Sequence, residues 1–139
     1  MGLTESSRKD IVEYRIERAF IALEQAKGCA AMRYWEVTAN RLYYAAHYAV
    51  SALLIAYEIP TYSHDGSITQ FSLHFVKSGK VSRDLGRLLN QLFTLRRTGD
   101  YSDKFNLREE EIIEKIRPTE DFIHTVTQMA KQKINTVIN

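Results

Sequence analysis

Basic side chains are concentrated in one part of this sequence and repeat there at helical spacing. Between positions 77 and 108 there are eight lysines and arginines against three aspartates, a local balance of +5, whereas the whole chain carries +2. A stripe of guanidinium groups on one helix face can bind a phosphate backbone or an acidic partner. The same pattern is typical of an ordinary solvated surface, and this alternative stays open. The polar face of the predicted helix comprises Arg83, Arg87, Asn90, Thr94 and Arg97.

A second group of candidate residues is aromatic. Exposed rings can stack on nucleic acid bases, whereas buried rings pack in a core or an interface. Tyr43 and Tyr44 are adjacent and lie about 100° apart on a helix, so they cannot both face the same core ridge. We therefore expect one of them to face a groove or a partner subunit, and Tyr44 is the binding candidate. The group consists of Tyr34, Trp35, Tyr43, Tyr44 and Tyr48.

The histidines predict no metal site, because His47, His64, His74 and His124 lack the clustered or i, i+4 spacing of helical metal ligands. His64 is the candidate for chemistry. The segment Ser63-His64-Asp65-Gly66 predicts a loop before a helix, where a titratable ring stays accessible. The alternative is that His64 only helps to cap that helix. No cofactor is predicted, since the sequence has no phosphate loop, dinucleotide fingerprint or nucleophile elbow.

Length and composition predict one soluble helical domain over residues 1–139. A content of 45% hydrophobic and 26% charged residues, with 6 glycines and 2 prolines, excludes collagen-like and mainly disordered chains and disfavours a turn-rich all-β fold. The single Cys29 and a polar start without a signal-peptide pattern predict a cytoplasmic protein. The longest uncharged stretch, residues 42–57, is too short and polar to span a membrane. No membrane association is predicted.

Apolar periodicity predicts an all-α fold, an antiparallel up-and-down bundle of about five helices with short connections. Gly28 and Gly99 are expected to end the first and fourth helices, and a capping box at Ser67 to open the third. We expect a kink or a short break at Pro118. The predicted helices cover residues 7–27, 33–58, 67–79 and 82–97, and a fifth runs from a capping box at Asn106 toward the C-terminus.

Four blocks of this sequence resemble the HEPN domain family in their order and spacing, in particular its single-domain group of uncharacterised bacterial and archaeal proteins. The resemblance extends from the second helix to the last. The blocks are Asn40-Arg41-x-Tyr43-Tyr44-Ala45-x-x-Tyr48, Ser63-His64-Asp65-Gly66, Phe71-x-x-x-Phe75-Val76-Lys77-x-Gly79 and Arg97-x-x-Asp100-Tyr101.

The resemblance implies a bundle of about five helices, usually dimeric, that is connected with nucleotide or RNA binding. Many members pair with a nucleotidyltransferase in toxin–antitoxin operons. Active members are metal-independent endoribonucleases whose arginine is followed, four to six residues later, by a histidine at the dimer interface. Here no histidine follows Arg96 and Arg97 until His124. We therefore expect a non-catalytic homodimer that binds RNA, a nucleotide or a protein partner. The expected binding residues are Arg83, Arg87, Arg96, Arg97, Tyr44 and Tyr101.

Two alternatives remain open. The first is an endoribonuclease toxin in which Arg97 holds a phosphate and His64 or Asp100 transfers protons; a histidine suits this role better, because an ordinary carboxylate is a weak base at pH 7. In this reading Asp100 orients Arg97, and Tyr101 stacks or hydrogen-bonds beside them. The second is a structural adaptor whose basic face contacts a separate nucleotidyltransferase. The chain has no Gly-Ser motif followed by paired aspartates, so it cannot supply that transferase activity itself.

Overall fold

The computed structural model describes residues 3–101 and 109–138, with side chains over 3–97 and 109–136. Within these ranges the chain is helical and forms no strand, which confirms the predicted all-α fold. A short π-helical segment, Ser72–Val76, continues the third helix. The helices are α1 (Glu5–Ala31), α2 (Trp35–Ala56), α3 (His64–Phe71), α4 (Arg83–Tyr101) and α5 (Glu109–Ile138).

Helix α2 lies at the centre of the bundle and contacts α1, α3, α4 and α5. Its sequence explains this position, because its central turns carry apolar residues on nearly every side and such a helix must be covered by others. Small side chains at Ala45, Ala49 and Ala52 are completely buried and allow close approach of neighbouring helices. The predicted central position of the second helix is therefore confirmed.

Ion pairs between helix ends show that α1 runs antiparallel to both α2 and α5. Arg8, near the start of α1, donates to Glu58 just after the end of α2 at 2.8 Å. Lys27, near the end of α1, donates to Glu120 in the first half of α5 at 2.9 Å. These contacts agree with the predicted up-and-down arrangement.

The prediction that Gly28 ends the first helix is wrong. Helix α1 continues to Ala31, and the Met32 N–H donates to the Gly28 carbonyl at 3.2 Å. The chain reverses at Arg33, which adopts a φ of 63°. Glycine permits a helix stop but does not impose one, and here the following residues continue the hydrogen-bonding pattern.

The third helix begins earlier than predicted. Ser63 is its N-cap, since its Oγ accepts from the Gly66 N–H at 2.9 Å. His64 is therefore the first helical residue and not part of a loop. Ser67 is buried in the second turn, where its hydroxyl donates to the Ser63 carbonyl at 3.1 Å.

The fourth helix is longer than predicted, and the fifth is more regular. The cap at Ser82 is confirmed by the Leu85 N–H, which donates to its Oγ at 3.3 Å, but α4 continues through Gly99 to Tyr101. Helix α5 passes through Pro118 without a break. Proline removes one backbone hydrogen bond, and burial of Phe122 in the next turn helps to hold the helix in place. The predicted cap Asn106 lies outside the described residues.

We predict that Gly28→Ala stabilises the protein by about 0.5–1 kcal/mol, because alanine loses less backbone entropy within a helix than glycine. The added methyl group meets nothing within 4 Å. Gly79→Ala is the matched control and should destabilise, since Gly79 has a φ of +82° that alanine adopts only with strain. Urea unfolding of both variants measures the change. Equal effects of the two substitutions would contradict this account of Gly28.

Candidate functional site

Arginine, tyrosine and histidine side chains from three helices meet beside the middle of α2. Helix α2 contributes Tyr43, Tyr44 and His47, α3 contributes His64 from its first residue, and α4 contributes Arg96 from its last turns. We name these five residues the Arg96 cluster. Tyr43 is buried whereas Tyr44 is partly exposed, which is the difference expected for adjacent helical positions.

The guanidinium of Arg96 is held against both tyrosines. Its central carbon lies 5.7 Å from the centroid of the Tyr43 ring and 5.4 Å from that of Tyr44. Nη2 also donates to the Tyr44 hydroxyl at 3.2 Å. A cation near two aromatic rings is attracted by both, so these contacts orient the guanidinium before any ligand binds.

His64 is fixed by a hydrogen bond and by ring stacking. Its Nδ1 lies 2.8 Å from the hydroxyl of buried Tyr43. Its ring lies 4.2 Å from the ring of His47, with 16° between the planes. Burial raises the pKa of Tyr43, which keeps its hydroxyl protonated near neutral pH. Because Nδ1 is engaged by this hydroxyl, Nε2 is the ring nitrogen of His64 that is left for a ligand.

Both histidines of the Arg96 cluster favour the neutral form. Burial lowers the pKa of His47 to about 4, and the charges of His64, Arg15 and Arg96 act in the same direction. Burial and the charge of Arg96 also lower the pKa of His64, although Asp65 opposes them. At pH 7 the cluster therefore combines a fixed guanidinium with two neutral imidazoles. It can bind an anion and can accept a proton.

Comparison with known proteins identifies the family. Residues 12–131 match the family model of the HEPN domain. This chain belongs to the HEPN domain family. The match confirms the resemblance that the sequence blocks indicated.

Several relatives are similar to this HEPN domain over most of its length. A UPF0332 protein of Thermotoga maritima is 36% identical over 124 residues, covering 89% of this chain and 94% of the relative. Two proteins of Methanocaldococcus jannaschii carry the name "putative toxin". One is 30% identical over 132 residues, covering 94% of this chain and 97% of the relative. The other is 28% identical over 111 residues, covering 80% and 76%.

The HEPN domain brings some of the sequence-predicted binding residues together and leaves others apart. Arg96, Tyr44 and His64 meet in the Arg96 cluster. Arg97 is exposed, and its guanidinium carbon lies 5.4 Å from the centroid of the Phe93 ring. The two arginines at the other end of α4, Arg83 and Arg87, are also exposed, and Arg87 pairs with Asp84 at 3.0 Å. The side chains of Asp100 and Tyr101 lie outside the described residues.

Sequence reasoning missed two members of the Arg96 cluster. On sequence alone, Tyr44 is selected over Tyr43 and His64 over His47. A signal for them was present, because Tyr43 and His47 are spaced i, i+4 on one face of a helix that also carries Tyr44. Arg41 was missed as well; its guanidinium carbon lies 5.1 Å from the Tyr44 ring centroid.

Two further properties concern only the described part of the chain. No group of three or more histidine, cysteine, aspartate or glutamate side chains there is arranged to hold a metal ion. None of the described helices is long and apolar enough to cross a membrane.

We predict that acid destabilises the protein partly through His47. Its pKa is about 4 in the folded chain and about 6.5 when unfolded, so the unfolded state binds the proton first as the pH falls. This stabilising contribution is complete above pH 6.5 and is lost between pH 6.5 and 4, with a slope of at most about 1.4 kcal/mol per pH unit. Urea unfolding at several pH values gives the free energy of unfolding. Between pH 6.5 and 4 this free energy should fall less steeply with pH for His47→Asn than for the parent.

His74→Asn is the control for the pH experiment, because His74 is exposed and lies outside the Arg96 cluster. Its ring contacts Gln70 at 3.0 Å. If both substitutions changed the pH dependence of the unfolding free energy equally, the effect would not come from the partly buried ring of His47.

Proposed function

We propose that this HEPN domain binds RNA at the Arg96 cluster without cleaving it at an appreciable rate, and acts as a homodimer on the toxin side of a toxin–antitoxin pair. The observation that carries the proposal is the guanidinium of Arg96, oriented by two tyrosine rings and placed beside two neutral histidines. A guanidinium fork matches the geometry of a phosphate, and aromatic rings accept stacked bases.

Two further arginine and tyrosine pairs, one of them between α1 and α2, extend the surface beyond the Arg96 cluster. The guanidinium carbon of Arg18 lies 5.6 Å from the Tyr48 ring centroid, and Arg41 lies beside Tyr44. Arg41 donates to the side-chain oxygens of Asn40 and Gln25, which are uncharged, so it keeps its positive charge for a ligand. Neither Arg18 nor Arg41 forms an ion pair within the described residues. Alternating cations and rings suit a strand of phosphates and bases.

Three considerations support the toxin–antitoxin context. Two archaeal relatives have toxin names. The family resemblance implies a separate nucleotidyltransferase as partner and a dimeric assembly. Helix α4 also carries exposed arginines outside the Arg96 cluster, including Arg83 and Arg97. Their positive charge would attract an acidic partner protein.

The absence of a histidine shortly after Arg96 and Arg97 supports binding without efficient cleavage. Cleavage of RNA without a metal needs one group to remove the proton of the 2′-hydroxyl and another to protonate the leaving 5′-oxygen. The pKa of each cluster histidine is lowered, so both rings are poor proton donors at pH 7.

An endoribonuclease is the second candidate, because His64 and Arg96 share contacts with Tyr43. In that reaction the 2′-oxygen loses its proton to a base and attacks phosphorus, the bond from phosphorus to the 5′-oxygen breaks, that oxygen takes a proton from water, and a 2′,3′-cyclic phosphate forms. Neutral His64 would be the base and Arg96 would stabilise the phosphorane. We keep Arg97 and Asp100 as alternative members of such a site.

We predict that Arg96→Gln weakens binding of a fluorescent single-stranded RNA about ten- to a hundredfold, since hydrogen bonds to charged groups contribute about 1.5–3 kcal/mol. Arg96→Lys should bind with intermediate affinity, because it keeps the charge and loses the fork. Arg83→Gln at the opposite end of α4 is the matched control and should have a small effect. Fluorescence anisotropy measures affinity, and thermal melting verifies that each variant is folded.

Salt dependence tests the same proposal separately. Binding through phosphates releases counterions, so affinity for RNA should fall steeply between 50 and 200 mM salt, and the slope should be reduced in Arg96→Gln. Affinity that is independent of salt would reject phosphate binding at this cluster.

We predict that purified protein leaves RNA intact in the presence of a chelator over the time in which a positive-control ribonuclease degrades it. Gel electrophoresis and detection of 2′,3′-cyclic ends provide the measurement. Cleavage that persists with chelator and disappears in both Arg96→Gln and His64→Gln would support the second candidate in place of the first.

A further inference from the structure

A cavity of about 400 Å³ is lined by the two histidines and not by Arg96. It is bounded by α1, α2, the chain between α2 and α3, and the first turns of α3. Its volume falls within the range of about 300–1,000 Å³ that small-molecule pockets occupy. Apolar side chains, Leu54 and Ile59 among them, form part of its wall, and polar groups form the rest. Mixed lining of this kind is typical of a binding pocket.

Three polar side chains in the cavity wall have no hydrogen-bonding partner within the described residues. They are Arg15 from α1, and His47 and Ser51, which are spaced i, i+4 on α2. None of them forms a hydrogen bond or an ion pair with another described side chain. Because these three groups converge on one cavity and the protein does not pair them, they can hydrogen-bond a ligand that binds there.

The chemistry of the wall defines the class of ligand. No carboxylate lines the cavity, so the positive charge of Arg15 is not offset there and favours an anion. The imidazole of His47 is neutral at pH 7, so it can both donate and accept a hydrogen bond, and the hydroxyl of Ser51 can do the same. Together with apolar side chains, such groups suit a planar heterocycle that carries donors and acceptors and is linked to a phosphate.

An aromatic side chain at the rim adds a stacking surface. Tyr62 also lines the cavity, and 95% of its surface is exposed. If a base enters the cavity, an exposed ring at its mouth can stack on the neighbouring base of the same strand.

We infer that the cavity is a nucleotide subsite that takes the base of one unpaired RNA nucleotide, with Arg15 on the adjoining phosphate. The inference rests on the proposed function and adds a second binding position to it. The stacked rings of His47 and His64 separate the two positions, because both rings line the cavity and both belong to the Arg96 cluster. A strand that crosses the histidine pair would contact Arg96 and Arg15 in succession.

The test uses the full chain and single-stranded RNA oligonucleotides in which one nucleotide at a time is abasic. Ser51→Leu fills the cavity with an apolar side chain, and Arg15→Gln removes its positive charge. Ser6→Leu and Arg117→Gln, at exposed positions of α1 and α5, are the matched controls. Fluorescence anisotropy gives affinities, and thermal melting shows whether each variant folds.

We expect the parent protein to lose about five- to a hundredfold in affinity when the abasic nucleotide occupies the position that enters the cavity, since stacking of one base contributes about 1–3 kcal/mol. Ser51→Leu should bind intact RNA with the same reduced affinity and should be insensitive to the abasic nucleotide at that position. Arg15→Gln should bind more weakly and with a lower salt slope, but should still respond to the abasic nucleotide.

The outcomes separate this inference from the proposed function. Suppose that Arg96→Gln still weakens RNA binding. The subsite alone is then overturned if Ser51→Leu and Arg15→Gln bind RNA as tightly as their controls. It is also overturned if no abasic position changes the affinity. Failure of the parent protein to bind RNA would overturn both. If Ser51→Leu does not fold, the abasic series and Arg15→Gln still decide the question.

Discussion

The hydrogen bond between the hydroxyl of Tyr43 and Nδ1 of His64 connects the candidate site to the core. Tyr43 is completely buried, and its hydroxyl would be costly to bury without a partner. His64 supplies that partner from the first residue of α3, and the N-cap at Ser63 fixes the backbone there. This contact therefore positions α3 on α2 and at the same time places the imidazole of His64 against His47 and beside Arg96.

The electrostatics of the Arg96 cluster favour ligand binding over acid–base chemistry in the unliganded protein. Desolvation and the nearby guanidinium both disfavour the imidazolium form of His47 and His64. The positive charge is thus concentrated on arginines, whose hydrogen-bonding geometry is planar and fixed, and the histidines remain neutral hydrogen-bonding surfaces. A cluster of this kind recognises an anion without having to change its own protonation state.

The sequence predicts the helical class, the central helix and the cap at Ser82 because these features depend on local periodicity and local hydrogen bonds. The choice between Arg96 and Arg97 depends on which face of α4 is buried. Leu89 and Leu92 lie seven and four residues before Arg96 and are both buried, so Arg96 shares their face whereas Arg97 does not. This signal was available in the sequence. The proximity of His64 to Arg96 could not be predicted, since it depends on tertiary packing between residues more than thirty positions apart.

The stacked histidines give the two proposed binding positions a physical connection. Both imidazoles border both positions, and the rings are only 4.2 Å apart. A proton on one ring therefore raises the cost of a proton on the other, as the effect of His64 on the pKa of His47 shows. A phosphate bound on either side would favour a proton on both rings, but repulsion between the rings opposes a second proton. Ligands at Arg96 and at Arg15 would therefore act on the protonation of the same two side chains.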